Sequence, residues 1–305
     1  MAEAFDRGGK GLKILHYQSM GVGAILAQEQ RKLGHEARVL VSSSHPFGFK
    51  EDYVLPSWGK HLEWKKHFHF DILHNHDPET LPITVEKNWN GNIVQHYHNA
   101  HMDKPQYGAE IPSLASIPSI LDRVPWATWL PLPAETELFS PDKRVEHDDV
   151  NIGSCQQSND PAKAQYIPTS EVRKAVNLGR DHNPPTRSYA QKGVMPHEEM
   201  CSYYGMLDIW VDRIGLGFYG FATIEVASMG IPAIVQVDEG SQTFIEDCPF
   251  YMINSKEEVI DAILTLAQDE SLRKEMGRKG RDFILQYHDS KRVAQKAIEF
   301  YEGML

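Results

Sequence analysis

The chain has few cysteines, a deficit of positive charge and no long apolar stretch. Its thiols are Cys155, Cys201 and Cys248. An odd number with no Cys-x-x-Cys spacing argues against a disulfide framework and fits a reducing compartment. No apolar run approaches the ~20 residues that cross a bilayer, and Met1 to Gly11 has no apolar signal-peptide core. The expected location is the cytoplasm, with at most a peripheral membrane contact. Lys and Arg number 31 against 42 Asp and Glu, a formal net charge of −11. Binding to a phosphate backbone is driven by cations that displace counterions, so a nucleic-acid partner is not expected. There is no Asp-x-Asp triplet, internal repeat or low-complexity tract.

What is present is an ordinary globular composition, 41% hydrophobic over 305 residues. That length suits two domains. Leu12 to Tyr17 reads as a strand, Gly21-Val22-Gly23 as a turn, Ala24 to Leu33 as a helix and Ala37 to Val41 as a second strand. This is a βαβ unit with glycines at its first strand-to-helix turn. Phe70 to His74 and Asn92 to His96 read as strands of a buried parallel sheet. Pro112 to Pro141 is proline-rich with little helical period, and Asp142 to Asp149 reads as a charged linker. A second series follows. It has strands at Val150–Gly153, Asp208–Val211 and Ile231–Val237, and helices at Glu171–Leu178, Glu198–Met206, Ala222–Met229, Lys256–Gln268, Ser271–Tyr287 and from about Asp289 to the end.

Three groups of residues carry chemistry. The amides of Gly21, Val22 and Gly23 stand at a helix N-terminus, which favours an anionic group, although a tight turn without a ligand has the same sequence. His74, His76, His96, His98 and His101 cluster at the ends of the two buried strands. Imidazole is a common zinc ligand, yet any polar residue at the C-terminal end of a parallel strand faces the substrate crevice with or without metal. The third group is the run from Met206 to Val235. Gly215, Gly217 and Gly220 let the backbone approach a ligand, and the helix that follows aims its positive end at it. Glu225 lies in that helix among small and apolar residues and needs a partner, either a ribose hydroxyl or a Lys or Arg. His61 to Phe70 mixes cationic and aromatic residues. It is an amphipathic helix or a contact for an anionic acceptor or a membrane surface.

The third group resembles the donor-binding motif of the GT-B glycosyltransferases, in particular the retaining group 1, or family 4, enzymes. The family pattern is an aspartate-bearing strand, Glu-Gly-Phe-Gly, then Glu-Ala-Met-Ala-x-Gly-x-Pro-Val. Asp208, Phe218-Tyr219-Gly220, Glu225-Val-Ala-Ser-Met-Gly-Ile-Pro232 and Val235 match, while Gly217 stands where the first Glu is usual. Asp71-Ile-Leu-His-Asn-His-Asp77, Val94-Gln-His-Tyr-His98, Leu130 to Pro141 and Pro161-Ala-Lys163 resemble further segments in family order, over about residues 12 to 302. At the last of these Ala164 replaces the usual Gly and a partner Arg is not evident.

The resemblance implies an α/β protein with two Rossmann-like domains whose parallel sheets face across a cleft. The divisions are an acceptor-side domain over 1–141, a donor domain over 142–288 and a crossing helix over 289–305. It implies transfer from a nucleotide-sugar donor to a carbohydrate, lipid-linked or small-molecule acceptor, with retention, no metal and no cofactor beyond the donor. His98 and Lys163 take the catalytic roles, beside the donor sugar and on the departing diphosphate. Gly217, Phe218, Tyr219, Gly220 and Glu225 hold the donor, with Glu225 on the ribose, and Gly21, Val22 and Gly23 form an acceptor or phosphate loop. Against this stand a catalytically silent binding module, motivated by the missing acid and Arg, and a metal-dependent hydrolase built on the histidines. An NAD-dependent dehydrogenase fits less well because the third glycine of its fingerprint is absent, and a GT-B epimerase shares the fold.

Overall fold

The computed structural model describes residues 11–19, 21–55, 65–67, 69–77, 81, 83–98, 108–154, 166–189, 195–245 and 247–305. The chain divides into two compact units. One comprises residues 1–116, 120–133 and 290–305, the other 117–119 and 134–289.

The first unit is built on a seven-stranded, all-parallel sheet of order β3-β2-β1-β4-β5-β6-β7. Its strands are β1 (Lys13–Tyr17), β2 (Glu36–Val41), β3 (Tyr53–Val54), β4 (Ile72–Asn75), β5 (Asn92–Tyr97), β6 (Ser113–Ala115) and β7 (Thr128–Trp129). Helix α1 (Val22–Lys32) follows β1, and Gly21 at φ 111° supplies the left-handed turn between them. The four-residue α2 (Ile83–Glu86) lies between β4 and β5. Side chains alternate across a strand. Leu15, Tyr17 and Leu73 therefore share one apolar face with Phe70, Val85 and Trp89. The alternate positions carry His16 and His74, register partners across β1 and β4. In a sheet buried on both faces those polar side chains must find partners inside the protein.

The second unit has a five-stranded parallel sheet of order β12-β11-β10-β8-β9. These strands are β8 (Val150–Ser154), β9 (Thr186–Ser188), β10 (Ile209–Val211), β11 (Ala233–Val235) and β12 (Tyr251–Met252). Helices α3 (Thr169–Leu178), α4 (Met200–Tyr204), α5 (Phe221–Ser228), α6 (Glu239–Gln242), α7 (Val259–Gln268) and α8 (Glu270–Tyr287) surround it. Val150, Ile152, Ile209, Val211 and Ile234 form the core with Val172 of α3 and Ile263 and Leu266 of α7. Arg281 of α8 donates to the carbonyls of Thr136, Phe139 and Ser228, which fixes the segment entering this unit. The terminal helix α9 (Ser290–Glu302) belongs to the first unit, where it packs on α1.

Both units are thus α/β with parallel sheets, as the alternation of strand and helix in the sequence requires. The proline-rich stretch after Pro112 contains two short strands, β6 and β7, that the sequence reading leaves as loop. Among the described residues no helix is long and apolar enough to cross a membrane. Of the cationic-aromatic segment His61–Phe70, only residues 65–67, a 3-10 turn, and 69–70 are described.

Candidate functional site

Each unit gathers its chemistry at the C-terminal ends of its strands. In the first unit that place holds five histidines, His16, His74, His76, His96 and His98, joined through short hydrogen bonds. His16 Nε2 meets Gln30 Oε1 of α1 at 2.8 Å, and His16 Nδ1 meets His76 Nε2 at 2.9 Å. His76 Nδ1 meets His98 Nε2 at 2.9 Å, and His98 Nδ1 meets Ser116 Oγ at 2.7 Å. Ser116 Oγ also meets His96 Nε2 at 3.0 Å, His96 Nδ1 meets His74 Nε2 at 3.0 Å, and His74 Nδ1 meets the Tyr301 hydroxyl of α9 at 2.5 Å. All are buried except His98, which is partly exposed. Burial pushes the His16 and His98 imidazoles down to about 4. Burial and the neighbouring rings hold His74, His76 and His96 well below the ordinary histidine range. The cluster is therefore uncharged at neutral pH.

Two histidine triplets have nitrogens within 4.8 Å of one another, His16 with His74 and His76, and His76 with His96 and His98. They have the right ligand type for a divalent cation. Their ring nitrogens, however, already face one another at hydrogen-bond distance, and a metal needs those same lone pairs.

The glycine turn of the first unit is filled by its own side chains. Gly23 donates its amide to Ser19 Oγ at 2.5 Å, and a Cβ at Gly23 would lie 2.7 Å from His76 Nε2. The Phe49 ring packs against Gly21 closely enough to exclude a side chain there, and Val22 is 7% exposed. Gly23 thus makes room for the histidine cluster.

In the second unit the loop from Asp212 to Gly220 leads into α5. Asp212, 5% exposed, shapes it by accepting from the Gly220 amide at 2.9 Å and the Thr223 hydroxyl at 2.7 Å. The indole of Trp210 donates to Thr223 Oγ1 and locks that hydroxyl. Among the described residues the amides of Gly217, Phe218, Phe221 and Ala222 have no hydrogen-bond acceptor. Together with the N-terminus of α5, which has no side-chain cap, they form an anion-favouring surface.

Gly217 sits at φ +77°, and a Cβ built on it would overlap the Asp238 carboxylate, whose own amide donates to the Gly217 carbonyl. The carboxylate absent from position 217 is therefore matched by one at the end of β11, in the space that a 217 side chain would enter. The Tyr219 ring is buried, stacked on Phe218 and edge-on to Phe250, with its hydroxyl on His288 at 2.8 Å. Phe218 is 4% exposed. Both side chains anchor the loop and leave only backbone to a ligand.

Glu225 is 4% exposed, and its partners are a histidine and a tyrosine, neither a Lys nor an Arg. His197 Nε2 lies 2.6 Å from its Oε1, and the Tyr204 hydroxyl donates to its Oε2 at 3.0 Å. His197 Nδ1 lies 3.4 Å from Glu135. Burial opposes charge on His197, but the Glu225 hydrogen bond and the two carboxylates raise its pKa above the ordinary value. Arg213 stands beside the loop with a buried Nε that has no partner among the described residues. Lys163 and His101 lie outside the described residues.

Residues 182–299 match a family described as glycosyl transferase-like, a span that includes the loop, α5 and Glu225. No curated protein matches by sequence. Among solved structures, the chain is similar to a glycosyltransferase from Rickettsia africae at TM-score 0.70 and 12% identity, covering 96% of this chain and 98% of that one. It is similar to Anabaena HepE in complex with UDP and glucose, at 0.67 and 12%, covering 94% and 98%. It is also similar to sucrose-phosphate synthase from Thermosynechococcus elongatus, at 0.66 and 13%, covering 96% and 99%. The family match spans the loop, α5 and Glu225, and over its whole length the chain shares the GT-B fold of these structures.

Proposed function

We propose that the protein is a retaining, metal-independent glycosyltransferase that moves a sugar from a nucleotide-sugar donor to a carbohydrate, lipid-linked or small-molecule acceptor. The observation that carries this reading is the loop of the second unit, where the amides of Gly217, Phe218, Phe221 and Ala222, without an acceptor among the described residues, stand at the start of α5. Oriented amides and a helix N-terminus stabilise a departing diphosphate without a metal ion. HepE was solved with UDP and with UDP-glucose, which supports a nucleotide sugar as the ligand of such a loop.

Lys163 and Arg213 are the cations assigned to the leaving group. Asp238, at the Gly217 position, takes the sugar hydroxyls that an acid at 217 would hold. Glu225 reaches the ribose from its pair with His197 and Tyr204, and Tyr219 and Gly220 shape the loop. His98 is assigned to the sugar and the Gly21–Val22–Gly23 turn to the acceptor. No cofactor beyond the donor enters this chemistry, the partners do not include nucleic acid, the working compartment is the cytoplasm, and any membrane contact is peripheral.

The test is transfer or slow donor hydrolysis by purified protein with UDP-, GDP- and ADP-sugars, with and without EDTA. Activity that survives EDTA is expected. Complete loss with EDTA, restored by Mn²⁺ or Zn²⁺, contradicts the metal-independent mechanism. Binding of a nucleotide sugar without any turnover leaves a silent binding module instead.

A further inference from the structure

The histidines of the first unit have a feature that no single hydrogen bond reveals. With Gln30 Oε1 accepting, His16 donates from Nε2 and accepts at Nδ1. His76 then donates from Nε2 to His16 and accepts at Nδ1 from His98 Nε2. His98 accepts at Nδ1 from the Ser116 hydroxyl, which accepts from His96 Nε2. His96 accepts at Nδ1 from His74 Nε2, and His74 accepts at Nδ1 from the Tyr301 hydroxyl. Every link has one proton, every histidine is the same neutral tautomer, and all donors point the same way. The string also comes close to closing. Gln30 faces the Tyr301 hydroxyl, and its Nε2 is the buried donor left without a full hydrogen bond.

Such a string resists change at any one member. A ring in the other tautomer sets two N–H groups or two lone pairs against each other at about 2.9 Å. An added proton makes one ring donate on both sides, which reverses the sense along one arm and ends on a group that must accept twice. In a buried, low-dielectric place either defect is costly. The alternative, a cation held by either triplet, takes ring nitrogens that already form links of the string.

We propose that the five histidines, with Ser116 and Tyr301, act as one uncharged, unidirectional hydrogen-bonded string that positions His98, its one partly exposed member, with both ring nitrogens engaged. His98 then meets a ligand through its backbone and ring edge, not through a free imidazole nitrogen. Ser116 is the positioning residue because its hydroxyl joins the two arms, His98–His76–His16 and His96–His74. The ligand clause rests on the transferase reading; the string does not.

The experiment is nitrogen-15 NMR of histidine-labelled, tag-free full chain at pH 7.5, on wild type, Ser116→Ala and Ser116→Thr, with metal analysis of the same samples. Wild type should show five slowly exchanging, neutral histidines of one tautomer and no bound metal. Ser116→Ala should shift the ring signals of His96 and His98 and speed their exchange, and Ser116→Thr, which keeps the hydroxyl, should restore them. Mixed tautomers, free exchange at buried rings or stoichiometric metal overturns the string. An intact string in a protein that neither transfers nor hydrolyses any sugar nucleotide overturns the transferase reading and leaves the string standing. Turnover with an inflection near pH 6.5 that His98→Phe removes overturns the engaged-nitrogen clause.

Discussion

The two units handle buried histidine in opposite ways. In the first, burial lowers the basicity of five rings, which are neutral and satisfy one another. In the second, His197 is held between the carboxylates of Glu225 and Glu135, and its pKa rises despite burial. The difference lies in the neighbours, since imidazoles facing imidazoles gain nothing from charge, whereas a ring facing carboxylates does.

The largest expected effect separates the units by pH. A histidine whose folded pKa lies below its unfolded value leaves the folded state binding fewer protons. Its stability is complete above the unfolded value near 6.5 and is lost as pH falls toward the folded value, about 4 for His16 and His98. Each ring contributes a slope of at most about 1.4 kcal/mol per pH unit in that window, so five together reach at most about 7 kcal/mol per unit. Urea unfolding followed by hydrogen exchange should show β1, β4 and β5 losing protection between pH 6.5 and 5. His197 has the reverse sign. Its contribution is complete below 6.5 and falls as pH rises through its raised value, so β8, β10 and β11 should weaken slightly above neutrality. Equal loss of both sheets in acid would remove the contrast.

Next in size is Glu225→Ala. Removing one partner of a buried pair leaves His197 and Tyr204 facing a void, at a cost of about 3–5 kcal/mol, read as a lower urea midpoint. The His197 resonances should at the same time titrate at lower pH. A folded variant with unchanged His197 titration would mean that the pair does not set its charge.

Much of this is legible in the sequence. The long strands, the helices and the loop motif follow from alternation, helical period and glycine placement. The edge strands β3, β7, β9 and β12 did not, because two or three residues carry no period. His74, His76, His96 and His98 stand out in sequence as clustered strand-end histidines. His16, Ser116 and Tyr301 join them only through parallel register and the docking of α9. The sequence offered Glu225 a ribose hydroxyl, a Lys or an Arg, while the fold supplies a His and a Tyr. At position 217 the sequence shows a missing acid, and only the fold brings Asp238 to that place.

Two glycines sharpen the comparison at smaller cost. Gly23→Ala forces a methyl toward His76 and should destabilise the first unit by about 1–3 kcal/mol, the range for overpacking, with the change visible in His76 tautomer signals. Gly217→Ala strains a positive φ and crowds Asp238. It should cost about 1–3 kcal/mol and weaken nucleotide-sugar binding in a thermal-shift titration. Unchanged binding by folded Gly217→Ala would move the donor site away from this loop.

The most direct test of the central claim is hydrogen exchange of the wild-type chain with and without a saturating nucleotide sugar. The account predicts slowed exchange at the amides of Gly217, Phe218, Phe221 and Ala222, which have no acceptor among the described residues. A bound nucleotide sugar that leaves those four amides exchanging at their free rate contradicts it.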